Sequence, residues 1–128
     1  MSTQKGTVLV VDDEPQVLES TAEMVRSLGY HVIEAASGPE ALEKSAPYEC
    51  TIDLLLTDLI MPGMTGRLLA DTLSARCPGL EVIFMSGFVS DSRLETVEQD
   101  LHYIQKPFDP EELGALLRGL LKKKRKKI

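Results

Sequence analysis

Four places in the sequence carry side chains that could do chemistry together: the acidic pair Asp12-Asp13, then Asp58, Ser86 and Lys106. Two or three carboxylates converging on one point repel each other, and each is driven toward its protonated form unless a cation offsets the charge. Hard oxygen donors of this kind suit Mg²⁺, which keeps several waters and commonly shares its shell with a phosphate. Lysine adds a compact positive charge and serine a hydroxyl donor, both useful to phosphoryl oxygens. A carboxylate flanked by a metal, an ammonium and a hydroxyl is a sensible phosphoryl acceptor, giving an acyl phosphate by positioning and charge neutralisation. Each residue also has a plainer reading. Asp12 or Asp13 could cap a helix, Asp58 and Ser86 could serve turns, and Lys106 could be a solvated surface lysine.

The elements around these residues decide between the two readings. Asp58 ends the apolar run Ile52 to Thr57 and is followed by the turn Met61-Pro62-Gly63. Such a run reads as a strand buried on both faces of a parallel sheet. Thr7 to Val11 is a β-branched strand that stops at Asp12-Asp13-Glu14, and Pro15 opens a helix with Val17, Leu18, Ala22, Val25 and Leu28 on one face before Gly29. His31 to Ala35 is a shorter strand, and Ser37-Gly38-Pro39-Glu40 resembles a capping box opening a second helix. Leu68, Leu69, Thr72, Leu73 and Arg76 continue as a third helix, closed by Cys77-Pro78-Gly79. Glu81 to Met85 is the fourth strand, followed by a thin helix from Asp91 to about Gln99; His102 to Gln105 is the fifth strand. Asp109-Pro110-Glu111-Glu112 caps a final helix with Leu113, Leu116, Leu117, Leu120 and Leu121 inward. Five strands alternating with five helices predict right-handed crossovers and an α/β, doubly wound, five-stranded parallel sheet. Its carboxyl rim, where ligands of such sheets collect, would carry Asp12, Asp13, Asp58, Ser86 and Lys106 together.

Composition restricts the classes. The 128 residues, 43% hydrophobic and 27% charged, fit one globular domain over residues 1–121, with no leader-like or membrane-spanning run. Residues 122–128 form a basic tail expected to be disordered, a solvated extension or a cloning remnant; it holds six of the fourteen basic residues, so the body is more acidic than the net charge of −6 implies. An acidic body argues against a nucleic-acid surface. Cys50 and Cys77 have no metal-ligand or CxxC spacing and are expected as free thiols in a reducing cytoplasm.

The phrases Val10-Val11-Asp12-Asp13-Glu14-Pro15, Thr57-Asp58-Leu59-Ile60-Met61-Pro62-Gly63-Met64-Thr65-Gly66, Met85-Ser86-Gly87 and Lys106-Pro107-Phe108 together resemble the receiver domains of bacterial two-component signalling. The likeness runs from about Thr7 to Leu121. It implies a flavodoxin-like receiver fold with strand order 2-1-3-4-5, and a cytoplasmic phosphoprotein that is mainly a signalling switch, although it catalyses its own phosphorylation and slow dephosphorylation. It further implies that Asp58 is phosphorylated by a histidine kinase or phosphotransfer protein, assisted by Lys106 and Ser86. Mg²⁺ would be held by Asp12, Asp13, Asp58 and the backbone carbonyl of Ile60, and Ser86 with Tyr103 would form the switch. The Leu54-Leu55-Leu56-Thr57-Asp58 and Phe84-Met85-Ser86-Gly87-Phe88 phrasing resembles receivers of hybrid histidine kinases, against a stand-alone regulator as the other arrangement. A downstream partner protein is expected, with no membrane contact by this domain; the segment from Asp91 through the last helix is where a signalling surface would lie.

Apolar Ile60 and Phe88 stand two residues beyond Asp58 and Ser86. Neither can align an attacking water, so a long-lived acyl phosphate is expected, or one removed mainly by return transfer. A flavin carrier of the same architecture would need a donor-rich loop where Asp12-Asp13-Glu14 would repel the flavin phosphate. A haloacid-dehalogenase-like phosphatase needs a second aspartate where Ile60 stands. A pseudo-receiver that only binds partners would not need the complete acidic set.

Overall fold

A computed structural model describes residues 6–48, 50–87 and 102–125. The five strands are β1 (Thr7–Val11), β2 (His31–Ala35), β3 (Leu54–Asp58), β4 (Glu81–Ser86) and β5 (His102–Gln105). They form one parallel sheet in the order β2-β1-β3-β4-β5. The described α-helices are α1 (Pro15–Ser27), α2 (Gly38–Ser45), α3 (Gly66–Arg76) and a C-terminal helix (Pro110–Arg125). The thin helix expected from Asp91 to Gln99 lies outside the described residues, as does Phe88.

Alternation along the strands sorts the core into two layers, because successive side chains of a strand point to opposite faces. Val8, Val10, Leu54, Leu56, Ile83 and Met85 pack with α1 and the C-terminal helix through Leu18, Ala22, Val25, Leu113 and Leu117. Leu9, Val11, Leu55, Val82 and Phe84 pack on the other face against Ala41 of α2 and Leu69, Ala70 and Leu73 of α3. The sheet is therefore covered on both sides, as its near-continuous apolar strands require.

Local signals hold with small shifts. Ser37 caps α2 by accepting from the Glu40 N–H at 3.2 Å, while Glu40 reaches back to the Ala36 N–H at 2.7 Å. Asp109 accepts from the Glu112 N–H at 2.8 Å. Asp58 itself is the last residue of β3, paired in register with Met85, because the ladder to β4 continues one residue past the apolar run. The C-terminal helix runs through Arg125, four residues past the expected boundary at residue 121.

The cysteine expectation is overturned. Cys50 and Cys77 form a disulfide across a Cα–Cα distance of 5.3 Å. Cys50 lies in the loop entering β3 and Cys77 at the carboxyl end of α3. They are 27 residues apart, and the β3-turn-α3 unit folds back so that its two ends meet. Motif spacing carries no trace of that return.

Candidate functional site

Asp12 follows β1 immediately, with its N–H bonded to the Ala35 carbonyl at 3.2 Å and its side chain fully buried. Neither Asp12 nor Asp13 caps α1: the N-cap is Glu14, without a side-chain cap bond, and the Asp12 Oδ1 accepts from the Glu14 N–H at 3.0 Å. The plainer reading of the acidic pair therefore does not apply. Both carboxylates are left to the rim of the sheet.

Asp58 reaches the same rim from β3, and one carboxylate oxygen from each of Asp12, Asp13 and Asp58 lies within 4.8 Å of the others. Lys106, just past β5, places its Nζ 2.8 Å from Asp12 Oδ2 and 3.4 Å from Asp58 Oδ1. Its own backbone N–H is held by the Ser86 carbonyl at 2.8 Å, and the Lys106–Pro107 peptide bond is cis. Ser86 is buried as the last residue of β4. The sheet order puts β3 between β1 and β4, so the strand ends bring Asp12, Asp58, Ser86 and Lys106 to one rim, as the sequence predicts.

Electrostatics mark Asp58 as the exceptional carboxylate. Burial raises its pKa to about 6; the Lys106 ammonium pulls it down, while the negative charges of Asp12 and Asp13 push it up. Burial alone would weaken the Lys106 ammonium, but its hydrogen bond to Asp12 and the charge of Asp58 outweigh that and raise its pKa. Lys106 is thus shared between two carboxylates, with a third nearby. The donor set fits a hard divalent cation: three carboxylates from two adjacent strand ends, close enough to share one ion.

Two further residues build the site without having been singled out from the sequence. A β-carbon on Gly66 would stand 2.0 Å from the Asp58 carbonyl oxygen, so only glycine lets α3 start against the end of β3. Thr57, fully buried, donates its hydroxyl to the same Asp58 carbonyl at 3.0 Å. The signal for Gly66 was present: it follows Thr65, which caps α3 by accepting from the Leu68 N–H at 3.1 Å. Gly63 turns the chain with φ of 81° between Asp58 and that cap. Ile60 is 51% exposed at the mouth of the site. Tyr103 is half-buried, its ring centroid 5.6 Å from that of Phe84, its register partner on β4.

Comparison with known proteins gives this arrangement a family. Residues 8–118 match the response regulator receiver domain, and the chain belongs to that family. It is 34% identical over 120 residues to the sensor kinase CckA of Brucella abortus (strain 2308), covering 92% of this chain and 13% of that protein. It is 32% identical over 130 residues to the DNA-binding response regulator MtrA of Mycolicibacterium smegmatis, covering 96% of this chain and 54% of that protein. The chain thus spans about half or less of the length of these relatives. Among solved structures, the receiver domain from the hybrid histidine kinase CckA superposes with a TM-score of 0.78 at 34% identity, covering 91% of this chain and 99% of that one. The fold is that of the family's receivers, down to the strand order β2-β1-β3-β4-β5. Among the described residues, no helix is long and apolar enough to cross a membrane.

Proposed function

We propose that this chain is a cytoplasmic phosphoacceptor switch: Asp58 takes a phosphoryl group from the phosphohistidine of a histidine kinase or phosphotransfer protein in a Mg²⁺-dependent reaction. The observation that carries this reading is the ammonium of Lys106 set between Asp12 at 2.8 Å and Asp58 at 3.4 Å, beside carboxylates clustered within 4.8 Å. An Asp58 carboxylate oxygen forms the new P–O bond while the P–N bond to the donor breaks and its electron pair leaves with the imidazole. Ionised Asp58 is the nucleophile, and with its pKa at about 6 that form predominates at neutral pH. Lys106 can turn from the carboxylates to the incoming phosphoryl oxygens, replacing one anionic partner with another. Asp12, Asp13, Asp58 and the backbone carbonyl of Ile60 would hold Mg²⁺. When bound, the ion neutralises charge on the phosphoryl oxygens.

The charge added at Asp58 biases two arrangements of Ser86 and Tyr103. The Ser86 hydroxyl becomes a donor to a phosphoryl oxygen, and the half-buried Tyr103 ring, against Phe84, shifts with it to alter the surface that a partner protein reads. Ile60, exposed and apolar, offers no hydrogen bond to a water approaching the acyl phosphate, so the modification is long-lived or leaves by return to a partner histidine. The likeness to a hybrid kinase receiver at 34% identity supports that arrangement for this chain, with a stand-alone regulator as the other.

The test is intact mass after incubation with Mg²⁺ and acetyl phosphate, or with a phosphorylated kinase, beside Asp58→Asn. A base-labile adduct that needs Mg²⁺ and is absent from Asp58→Asn is expected. No adduct from either donor would replace this reading with a phosphorylation-independent binding module.

A further inference from the structure

The Cys50–Cys77 pair lies at the end of β3 opposite Asp58, where none of the phosphoryl chemistry uses it. Its two halves are positioned by backbone bonds that do not involve sulfur. The Thr51 N–H bonds to the Tyr48 carbonyl at 2.9 Å to form the turn that holds Cys50, while the Cys77 N–H closes α3 onto Leu73 at 2.8 Å and the Cys77 carbonyl accepts from Leu80 at 3.0 Å. The Cα–Cα distance of 5.3 Å sits inside the roughly 4.4–6.8 Å span that a disulfide bridges without moving the backbone.

Both redox states have a place. Cys50 is exposed and Cys77 partly so, which leaves the sulfurs within reach of small reagents. Cys50 Sγ lies 3.5 Å from the Arg76 carbonyl, so a reduced Cys50 thiol finds an acceptor without rearrangement. A cavity of about 260 Å³ borders both cysteines, walled on its apolar side by Ile52, Leu73 and Leu80, and gives a freed side chain room to rotate. Cys50 also sits at φ of 66°, a left-handed conformation that disfavours any residue with a β-carbon.

We propose that Cys50 and Cys77 form a reversible thiol–disulfide modification site whose co-substrate is a low-molecular-weight disulfide such as glutathione disulfide. A thiolate of the pair attacks a sulfur of the small disulfide, forming a mixed disulfide and expelling one thiolate. The second cysteine then attacks the protein sulfur of that mixed bond and expels the other. The pair loses two protons and two electrons in all, and one small disulfide becomes two thiols. Oxidation closes residues 50–77 into a covalent ring that contains β3, Asp58 and all of α3. Reduction frees the carboxyl end of α3 from the loop that feeds β3. The regulatory sense rests on the cytoplasmic setting proposed above, since in a reducing compartment a disulfide is transient and responsive.

The experiment equilibrates the whole chain in buffers of varied glutathione to glutathione-disulfide ratio, traps thiols by alkylation, and reads intact mass and the thermal midpoint. The expected result is two alkyl groups at reducing ratios and none at oxidising ratios, reversible in the folded protein, with the midpoint falling by roughly 10 °C on reduction as the loop-closure restraint is lost. Cys50→Ser and Cys77→Ser should each melt like the reduced protein at every ratio, and at oxidising ratios their remaining cysteine should stop at the mixed disulfide with no internal bond. If either variant fails to fold, the wild-type titration still decides. Mixed glutathione adducts without an internal bond, a bond that no reducing ratio opens in the folded state, or an unchanged midpoint would each overturn the proposal. Acetyl phosphate labelling of Asp58, run on both redox states, is expected to persist in both. Its loss from both would count against the phosphoacceptor reading and leave the thiol titration standing.

Discussion

The two ends of β3 solve the same problem in opposite ways. At the amino end, Asp53 accepts from the Thr7 N–H at 2.8 Å, its backbone bonds to β1 and β4 on both sides, and a covalent bond ties the neighbouring loop to α3. At the carboxyl end, three carboxylates crowd within 4.8 Å and Lys106 stands between two of them. One end is closed by bonds the chain makes with itself. The other keeps an excess of negative charge that a cation and an anionic phosphoryl group together would complete. A strand can hold both because its hydrogen-bonded ladder and buried leucines fix it independently of either end.

The sharpest way to break the contrast is to remove the charged end. Asp58→Asn should abolish the Mg²⁺-dependent adduct entirely in the mass assay while the fold persists by circular dichroism. Lys106→Met should come next, destabilising the protein by about 3 kcal/mol in denaturant unfolding at pH 7, since it strips the ammonium from the fully buried Asp12. Mg²⁺ should supply the missing charge instead: at a hundred times its dissociation constant the ion should add about 2.7 kcal/mol to wild-type stability. Asp13→Asn should reduce that gain.

A pH titration sharpens the comparison further. Asp58 has its pKa raised from 3.8 to about 6, so the fold binds its proton more tightly than the unfolded chain does. Its contribution to stability is complete below pH 3.8 and is lost as pH rises through about 6, amounting to roughly 2–3 kcal/mol. Without Mg²⁺, Asp58→Asn should therefore be more stable than wild type at pH 7.5 by about 2 kcal/mol and show no such advantage near pH 4. Wild type and variant melting alike at pH 7.5 would falsify this account of the site. The smallest effect is expected at Ile60→Asn, which should speed loss of the acyl phosphate a few-fold by giving water a hydrogen-bond partner, and leave unfolding within about 0.5 kcal/mol of wild type. Slower loss in Ile60→Asn with Phe88→Glu than in wild type would discard the idea that apolar groups protect the modification.

By itself the sequence determined the sheet and the rim. Apolar runs at Thr7–Val11 and around Leu54, each cut off by acids or a turn, record which faces are buried, and strict alternation with amphipathic helices leaves right-handed crossovers as the connection. Once every strand runs the same way, Asp12, Asp58, Ser86 and Lys106 must share one end, because each follows or closes its strand. Tertiary structure alone decided what those groups do to one another. The raised pKa of Asp58 depends on burial and on angstrom-scale distances to three charged side chains, and the need for glycine at position 66 on a carbonyl from the preceding strand. It also decided the cysteines. Residue periodicity reports the face on which a side chain lies, whereas the meeting of Cys50 with Cys77 follows from the length of β3, the turn at Gly63 and the return of α3, which only packing fixes.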